Sequence, residues 1–461
     1  MAHASDPYAC VHDCEHRHEV VEMKTYTVTA IAGIIAGVVA ALVLAIVLVV
    51  GNEGHVPPTP SAAAQVPPNQ SILPKLTPVA QLQMADPAEV HAAYAPNVPP
   101  PVTRSDQRIF EVHLEIVEAV CDLDPANGVK TEKWGYRIAG DTTVTCGAPG
   151  PVLRGRVGDV ARITVTNLPT NKQPHNIDFH AVTGQGGGAA ALTVLPGESA
   201  TIEVRLLYPG AFMYHCAAGD VPQHIAHGMY GMFIVDPEKP LPAVDHEWAI
   251  MQSEWYVSDP DATGLATFDR DRLSLEEPRY VTFNGLTTAL MNENELVMRV
   301  GERARIYFVN EGLNLDSNFH PIGSHWDVVY PEGATHPANI VIRGSQTTLV
   351  PAGGSTVVEL VGLVPMKVVL VDHALVRTFY RGAVGYIRID GTENPDIFRK
   401  VEPSTALPKQ PSSEGQASAA VETGGGSEQT AQVLLSYRFA AVHDGYTFTC
   451  SPQPWMWRNP S

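Results

Sequence analysis

Two stretches decide how the chain is read: Arg156-VGDVARITVT-Asn167 and, 143 residues later, Arg299-VGERARIYFV-Asn310. Each places an Arg-Val-Gly-acid turn before a run in which apolar and polar residues alternate, the period of a half-buried strand. The echo continues outward. Leu195-PGESATIE returns as Val350-PAGGSTVVE, and Gly228-MYGMFIVD returns as Gly382-AVGYIRID. The offsets stay within 143 to 155 residues, so residues 106–240 and 241–395 read as two tandem copies of one module. Short alternating runs punctuated by Gly, Pro and Asn, with no long amphipathic helical pattern, predict an all-β protein of two Greek-key β-sandwiches.

The rest of the 461 residues frames this core. With Lys+Arg 30 against Asp+Glu 49 the net charge is −19, which excludes nucleic acid as a partner because a phosphate backbone needs a basic surface. Six cysteines are too few for a disulfide scaffold. Val28 to Val50 is an uncharged apolar run long enough to cross a bilayer as a helix, and too long for the core of a cleaved signal peptide. Residues 25–51 are therefore expected to be a transmembrane anchor, with 1–24 a cytoplasmic tail and the bulk of the chain extracytoplasmic. The tail carries Cys10-Val-His-Asp-Cys14-Glu-His-Arg-His18, but no second ligand pair accompanies it, and it reads as unstructured. Residues 52–105, rich in Pro, Ala and Gln, read as a linker, and 396–461 as a linker-like C-terminal tail.

The chemistry gathers in the first module. His175 lies on one segment, and Cys216, His224 and Met229 lie around one loop, CAAGDVPQHIAHGM. Two His and a Cys with a weaker axial Met form the donor set of a blue-copper electron-transfer site. His215 directly precedes Cys216, and neighbouring residues on a strand point to opposite faces. If Cys216 faces a metal inside the sandwich, His215 faces outward, and with His180 it begins a second site. Aligning the modules puts Leu370-Val-Asp-His373-Ala374 on Phe212-Met-Tyr-His215-Cys216, so the second module keeps an imidazole and loses the thiol. Ala383 likewise stands where Met229 stands. His373 is expected to complete a three-His site with His180 and His215, which favours a ring of chains packing first module on second.

The motifs HNIDFHAVTGQGGGAA, YHCAAGDVPQHIAHGMYG, NFHPIGSH, TTLVPAGGS and LVDHALVRTFYRGAVG resemble those of the two-domain copper nitrite reductases over roughly residues 95–395. That resemblance implies cupredoxin-like domains and two copper ions per subunit. His175, Cys216, His224 and Met229 would bind type 1 copper. His180, His215 and His373 of an adjacent subunit would bind type 2 copper in a homotrimer. It further implies an NO-forming enzyme, the chemistry of denitrification, which takes electrons from a small cytochrome c or a cupredoxin and reduces nitrite. The acid/base pair maps to Asp178 and His320, and Ile322 to the bulky residue over the substrate face.

The rival readings are a laccase-like multicopper oxidase, a non-enzymatic electron carrier and a copper-storage protein. The first needs paired His-X-His motifs. Here Cys216 is followed by Ala217, and no His-X-His occurs between residues 106 and 395. A carrier would leave His180, His215 and His373 without a purpose. Cys121 and Cys146 flank the opening strands of the first module; whether they pair is not decided by spacing.

Overall fold

In the computed structural model, which describes residues 71–401, each copy of the repeat folds into two facing sheets. The first module's six-stranded sheet runs Leu265–Ala266, Val129–Ile138, Arg108–Asp124, Val160–Asn167 and Ser199–Arg205, with Gln83–Met84 also paired to Arg108–Asp124. Its five-stranded sheet runs Ala92–Ala93, Val152–Arg156, Tyr230–Asp236, Gly210–His215 and Asp178–Phe179. The second module repeats this plan. Val160–Asn167 pairs antiparallel with Ser199–Arg205 and parallel with Arg108–Asp124. In the same way Arg303–Asn310 pairs with Gly354–Val361 and His246–Trp255.

Alternation along Gly210–His215 sorts its side chains. Phe212, Tyr214 and then Cys216 face the first module's own core, with Phe110, Ile163 and Phe233. Ala211 and Met213 face the other way, into a second apolar layer with Ala249, Met251, Tyr307, Val309 and Val357 of the second module. The modules therefore join head to tail, five-stranded sheet on six-stranded sheet. Burying each large apolar side chain there contributes about 1.5–3 kcal/mol. A buried ionic chain crosses the same layer: Arg154 binds Asp236 at 2.8 Å and Glu247 at 2.6 Å, and Glu247 binds Arg305 at 3.0 Å. Removing one member would strand its partners without solvent, at a cost of about 3–5 kcal/mol.

One expectation changes, and one open question is answered. Residues 71–105, read as linker, lie along the first module. Gln83–Met84 and Ala92–Ala93 add to its sheets, the Ile138 amide donates to Tyr94 Oη at 2.9 Å, and the Ala249 amide of the second module donates to Pro96 O at 2.9 Å. Composition lacks any internal signal for this, because the segment finds its hydrogen-bond partners on sheet edges far away in sequence. Cys121 and Cys146 are joined as a disulfide, Cα to Cα 6.2 Å, tying the loop after Val129–Ile138 to Arg108–Asp124. The apolar run Val28–Val50, the Cys10–His18 cluster and the tail beyond residue 401 lie outside the described residues. Among those described, no helix is long and apolar enough to cross a membrane.

Candidate metal centres

The first centre forms where Gly210–His215 leaves the sheet. Asp220 caps the short helix Val221–Ala226 by accepting the Gln223 amide. This compact turn brings His224 back beside Cys216, eight positions upstream, with Nδ1 3.3 Å from Cys216 Sγ. Gly228 then turns the chain with φ +103°, and a Cβ there would lie 2.6 Å from Ala148 Cβ. That turn lets Met229, fully buried, present its carbonyl to the Cys216 amide at 3.1 Å. His175 arrives from the facing segment: its Nδ1 is 3.2 Å from His224 Nδ1 and 3.9 Å from Cys216 Sγ.

These three atoms cannot all hydrogen-bond one another. His175 Nε2 donates to Glu118 Oε1 at 3.0 Å, which leaves a lone pair on Nδ1 aimed at the other two donors. A metal ion with bonds of about 2.0–2.3 Å holds neighbouring ligands about 3.5 Å apart, so the triangle has the size of a coordination sphere. Two imidazoles, a thiol and a buried thioether suit copper. Burial pushes the Cys216 thiol up, so a cation is needed to hold the thiolate. Burial, followed by the neighbouring His175 and His227, brings His224 down to about 4, keeping it neutral and free to ligate.

Sequence reasoning missed the groups that brace this centre. Burial alone would raise the Glu118 carboxyl. The His175 imidazole and the Gln173 and Lys172 amides outweigh it and hold Glu118 below the usual range. Asn176 Oδ1 accepts the Ala217 amide at 2.7 Å and fastens the residue after the cysteine. Trp134 stands edge-on to His175 and His224 and stacks on His227 at 3.9 Å. Only Asn176, next to a ligand, had a signal in the linear order; the others come from distant strands.

On the opposite face, His180 and His215 meet with Nε2 atoms 3.1 Å apart. The His215 Nδ1–H donates to Cys216 O at 3.1 Å, which fixes the tautomer that offers Nε2. Asp178 joins them, so that the ligand atoms of all three lie within 4.8 Å of one another. Burial, then the neighbouring His215, lowers the His180 pKa, so this imidazole stays a neutral donor. His373 does not belong to that group within one chain. It stands beside His320, rings 5.1 Å apart, at the exposed face of the second module. His320 donates from Nδ1 to Gln346 O at 2.6 Å, and Ile322, two residues on along Ser317–Ile322, shares its face. The residues thus fall into three groups: four around Cys216, three around His180 and His215, and three, His320, Ile322 and His373, on the second module.

The family described as Multicopper oxidase matches residues 122–239. The chain is 41% identical over 314 residues to a copper-containing nitrite reductase of Neisseria meningitidis serogroup A, covering 68% of this chain and 78% of that protein. It is 39% identical to the copper-containing nitrite reductase of Neisseria gonorrhoeae, covering 76% and 85%. Among solved structures, a copper nitrite reductase from Nitrosomonas europaea superposes with TM-score 0.54 at 32% identity, over 63% of this chain and 96% of that one.

Proposed function

The chain belongs to the copper-containing nitrite reductases, and from that premise we propose a role for each residue of the three groups. His175, Cys216, His224 and Met229 hold type 1 copper; His180 and His215, with His373 of a neighbouring copy, hold type 2 copper. The enzyme reduces nitrite to nitric oxide: one electron and two protons enter, one N–O bond breaks, and nitric oxide and water leave. When bound, the coppers supply the one-electron relay and the Lewis-acidic position at which the nitrite anion docks.

The chain's own groups do the rest. The covalent His215–Cys216 link joins the two centres by one peptide unit. Asp178 and His320 supply the protons beside the anion. His320, held by its Nδ1–H on Gln346 O, presents Nε2 for this task. Ile322 shapes the substrate side. The observation that carries the reading is the opposed pair of centres: a buried thiol–imidazole triangle and a half-exposed His–His–Asp group, meeting at the neighbouring residues Cys216 and His215.

Head-to-tail packing supports a closed ring of three copies. Within one chain the first module's five-stranded sheet is covered by the second module's six-stranded sheet. On the second module, Leu349 of its five-stranded sheet, His373 just beyond a strand end, and Val376 and Tyr380 of the following helix Leu375–Arg381 are exposed, which suits the same kind of contact with a neighbour. The Cys121–Cys146 disulfide and the Val28–Val50 run favour a membrane-anchored, extracytoplasmic enzyme. The net charge of −19 favours a basic cytochrome c or cupredoxin as donor.

The deciding experiment measures nitric oxide from nitrite with the copper-loaded protein and an artificial reductant without oxygen. Turnover that falls to background in His373→Ala, with the thiolate–copper absorption band intact, is the expected outcome. Undiminished turnover would remove the second module from the catalytic centre.

A further inference from the structure

The loop after Asp178–Phe179 reads Gly184-Gln-Gly-Gly-Gly188, and its turn Gln185–Gly188 folds back onto that strand. Gly186 and Gly187 have nearly the same left-handed backbone, φ +56° and +55°. Their surroundings differ. A Cβ on Gly186 would meet nothing nearer than Ala189 Cβ at 3.8 Å, whereas a Cβ on Gly187 would sit 1.9 Å from Asp178 Oδ1. It would also lie 2.8 Å from Phe179 N and 2.9 Å from Phe179 O. The loop is closed by Gly187 N to Gly184 O at 3.3 Å and Ala189 N to Gly186 O at 2.7 Å, so Gly187 cannot drift from the strand freely. Handedness explains a glycine at either position. Only at Gly187 is the missing side chain the space that a carboxylate fills.

We propose that Gly187 is a positioning residue for nitrite reduction: its bare Cα leaves the room in which the Asp178 carboxylate is held toward His180 and His215. A Cβ at 187 would take the place of the carboxylate oxygen, so any side chain there swings the carboxylate away from the imidazole pair. This inference rests on the reading of Asp178 as a proton-supplying group.

The test compares Gly187→Ala with Gly186→Ala in the copper-loaded, full-length protein, each also combined with Asp178→Asn. Gly187→Ala is expected to lower kcat to within about threefold of Asp178→Asn, while Gly186→Ala, under equal backbone strain, stays within about twofold of wild type. In the Asp178→Asn background Gly187→Ala is expected to add no further loss in kcat, the signature of two changes acting through one group. The type 1 absorption band and two coppers per subunit should persist in Gly187→Ala. A crystal structure of that variant should show the Asp178 side chain displaced.

Wild-type turnover in Gly187→Ala, equal impairment in Gly186→Ala, an undisplaced Asp178, or losses that multiply in the double variant would each overturn the proposal. Where Gly187→Ala folds poorly, its drop in Tm is measured again in an Asp178→Ala background. A smaller drop there supports the contact, and an unchanged one refutes it. Failure of the underlying reading is separate: it shows as an unimpaired Asp178→Asn variant.

Discussion

The two modules carry the same pair of histidines to different ends. In the first, the rings of His180 and His215 lie 5.1 Å apart at 75°; in the second, those of His320 and His373 lie 5.1 Å apart at 75°. The backbone explains the match. The His180 amide donates to Met213 O, two residues before His215, and His320 is paired with Val371, two residues before His373. His320, assigned to proton supply, is thus the counterpart of His180, assigned to copper, and Asn318 is the counterpart of Asp178. Strand register sets the imidazole pair with or without a cysteine after it. What differs is the inner face. There the first module has Cys216 and Met229, and the second has Ala374 and Ala383 at the corresponding places in the repeat. The repeat thus presents two like imidazole pairs, of which only the first has a thiol and a thioether behind it.

The largest effect comes from exchanging the inner faces. Cys216→Ala should abolish the thiolate–copper band and reduce donor-driven nitrite turnover to background. The reciprocal Ala374→Cys should create no such band, because the helix Leu375–Arg381 carries no histidine where Val221–Ala226 carries His224. A visible band in Ala374→Cys would break the contrast.

The roles proposed for the two outer faces can be told apart. His180→Ala should lower copper from two ions per subunit toward one. His320→Ala should keep both ions and lower kcat by about 10²- to 10⁴-fold, the usual worth of a general acid. Copper analysis beside steady-state kinetics decides between them.

A smaller effect is expected at the brace. Glu118→Gln weakens the hold on His175 Nε2 and should reduce type 1 copper affinity by about 10- to 100-fold, read by chelator competition.

The smallest concerns the seam. Lys133 of the first module is fully buried, donates from Nζ to Gly285 O of the second at 2.8 Å, and is brought down to about 7 by burial. The folded chain disfavours the ammonium, so the unfolded chain binds that proton more readily. Stability should rise with pH from about 7 toward the free-lysine value of 10.5. Relative to Lys133→Met, the wild type should gain up to about 1.4 kcal/mol per pH unit in that window and run parallel below it. Chemical denaturation at several pH values measures the difference.

Much of this was legible in the linear order, and for identifiable reasons. The alternation along Gly210–His215 predicts that Cys216 and His215 part to opposite faces, because the strand period is two regardless of context. The repeat predicts two alike modules, since equal patterns bury equal faces. The donor set around Cys216 is readable because three of its four members sit on one loop. The resemblance to a known family, rather than spacing, singled out His320.

Tertiary structure alone decided the rest. Glu118 and Trp134 reach His175 from strands some 40 to 60 residues away, and no local period marks them. The 71–105 segment is held by sheet edges that exist only after the modules fold. Cys121 and Cys146 pair because the loop after Val129–Ile138 returns beside Arg108–Asp124 and brings their Cα atoms to 6.2 Å. The room that Gly187 leaves for Asp178 is likewise a property of two backbones in contact. Sequence determined the repeat, the faces and the donor types, since these follow from local periodicity and residue chemistry. Only packing could determine which distant groups brace those donors, because contact across a fold depends on how whole sheets meet.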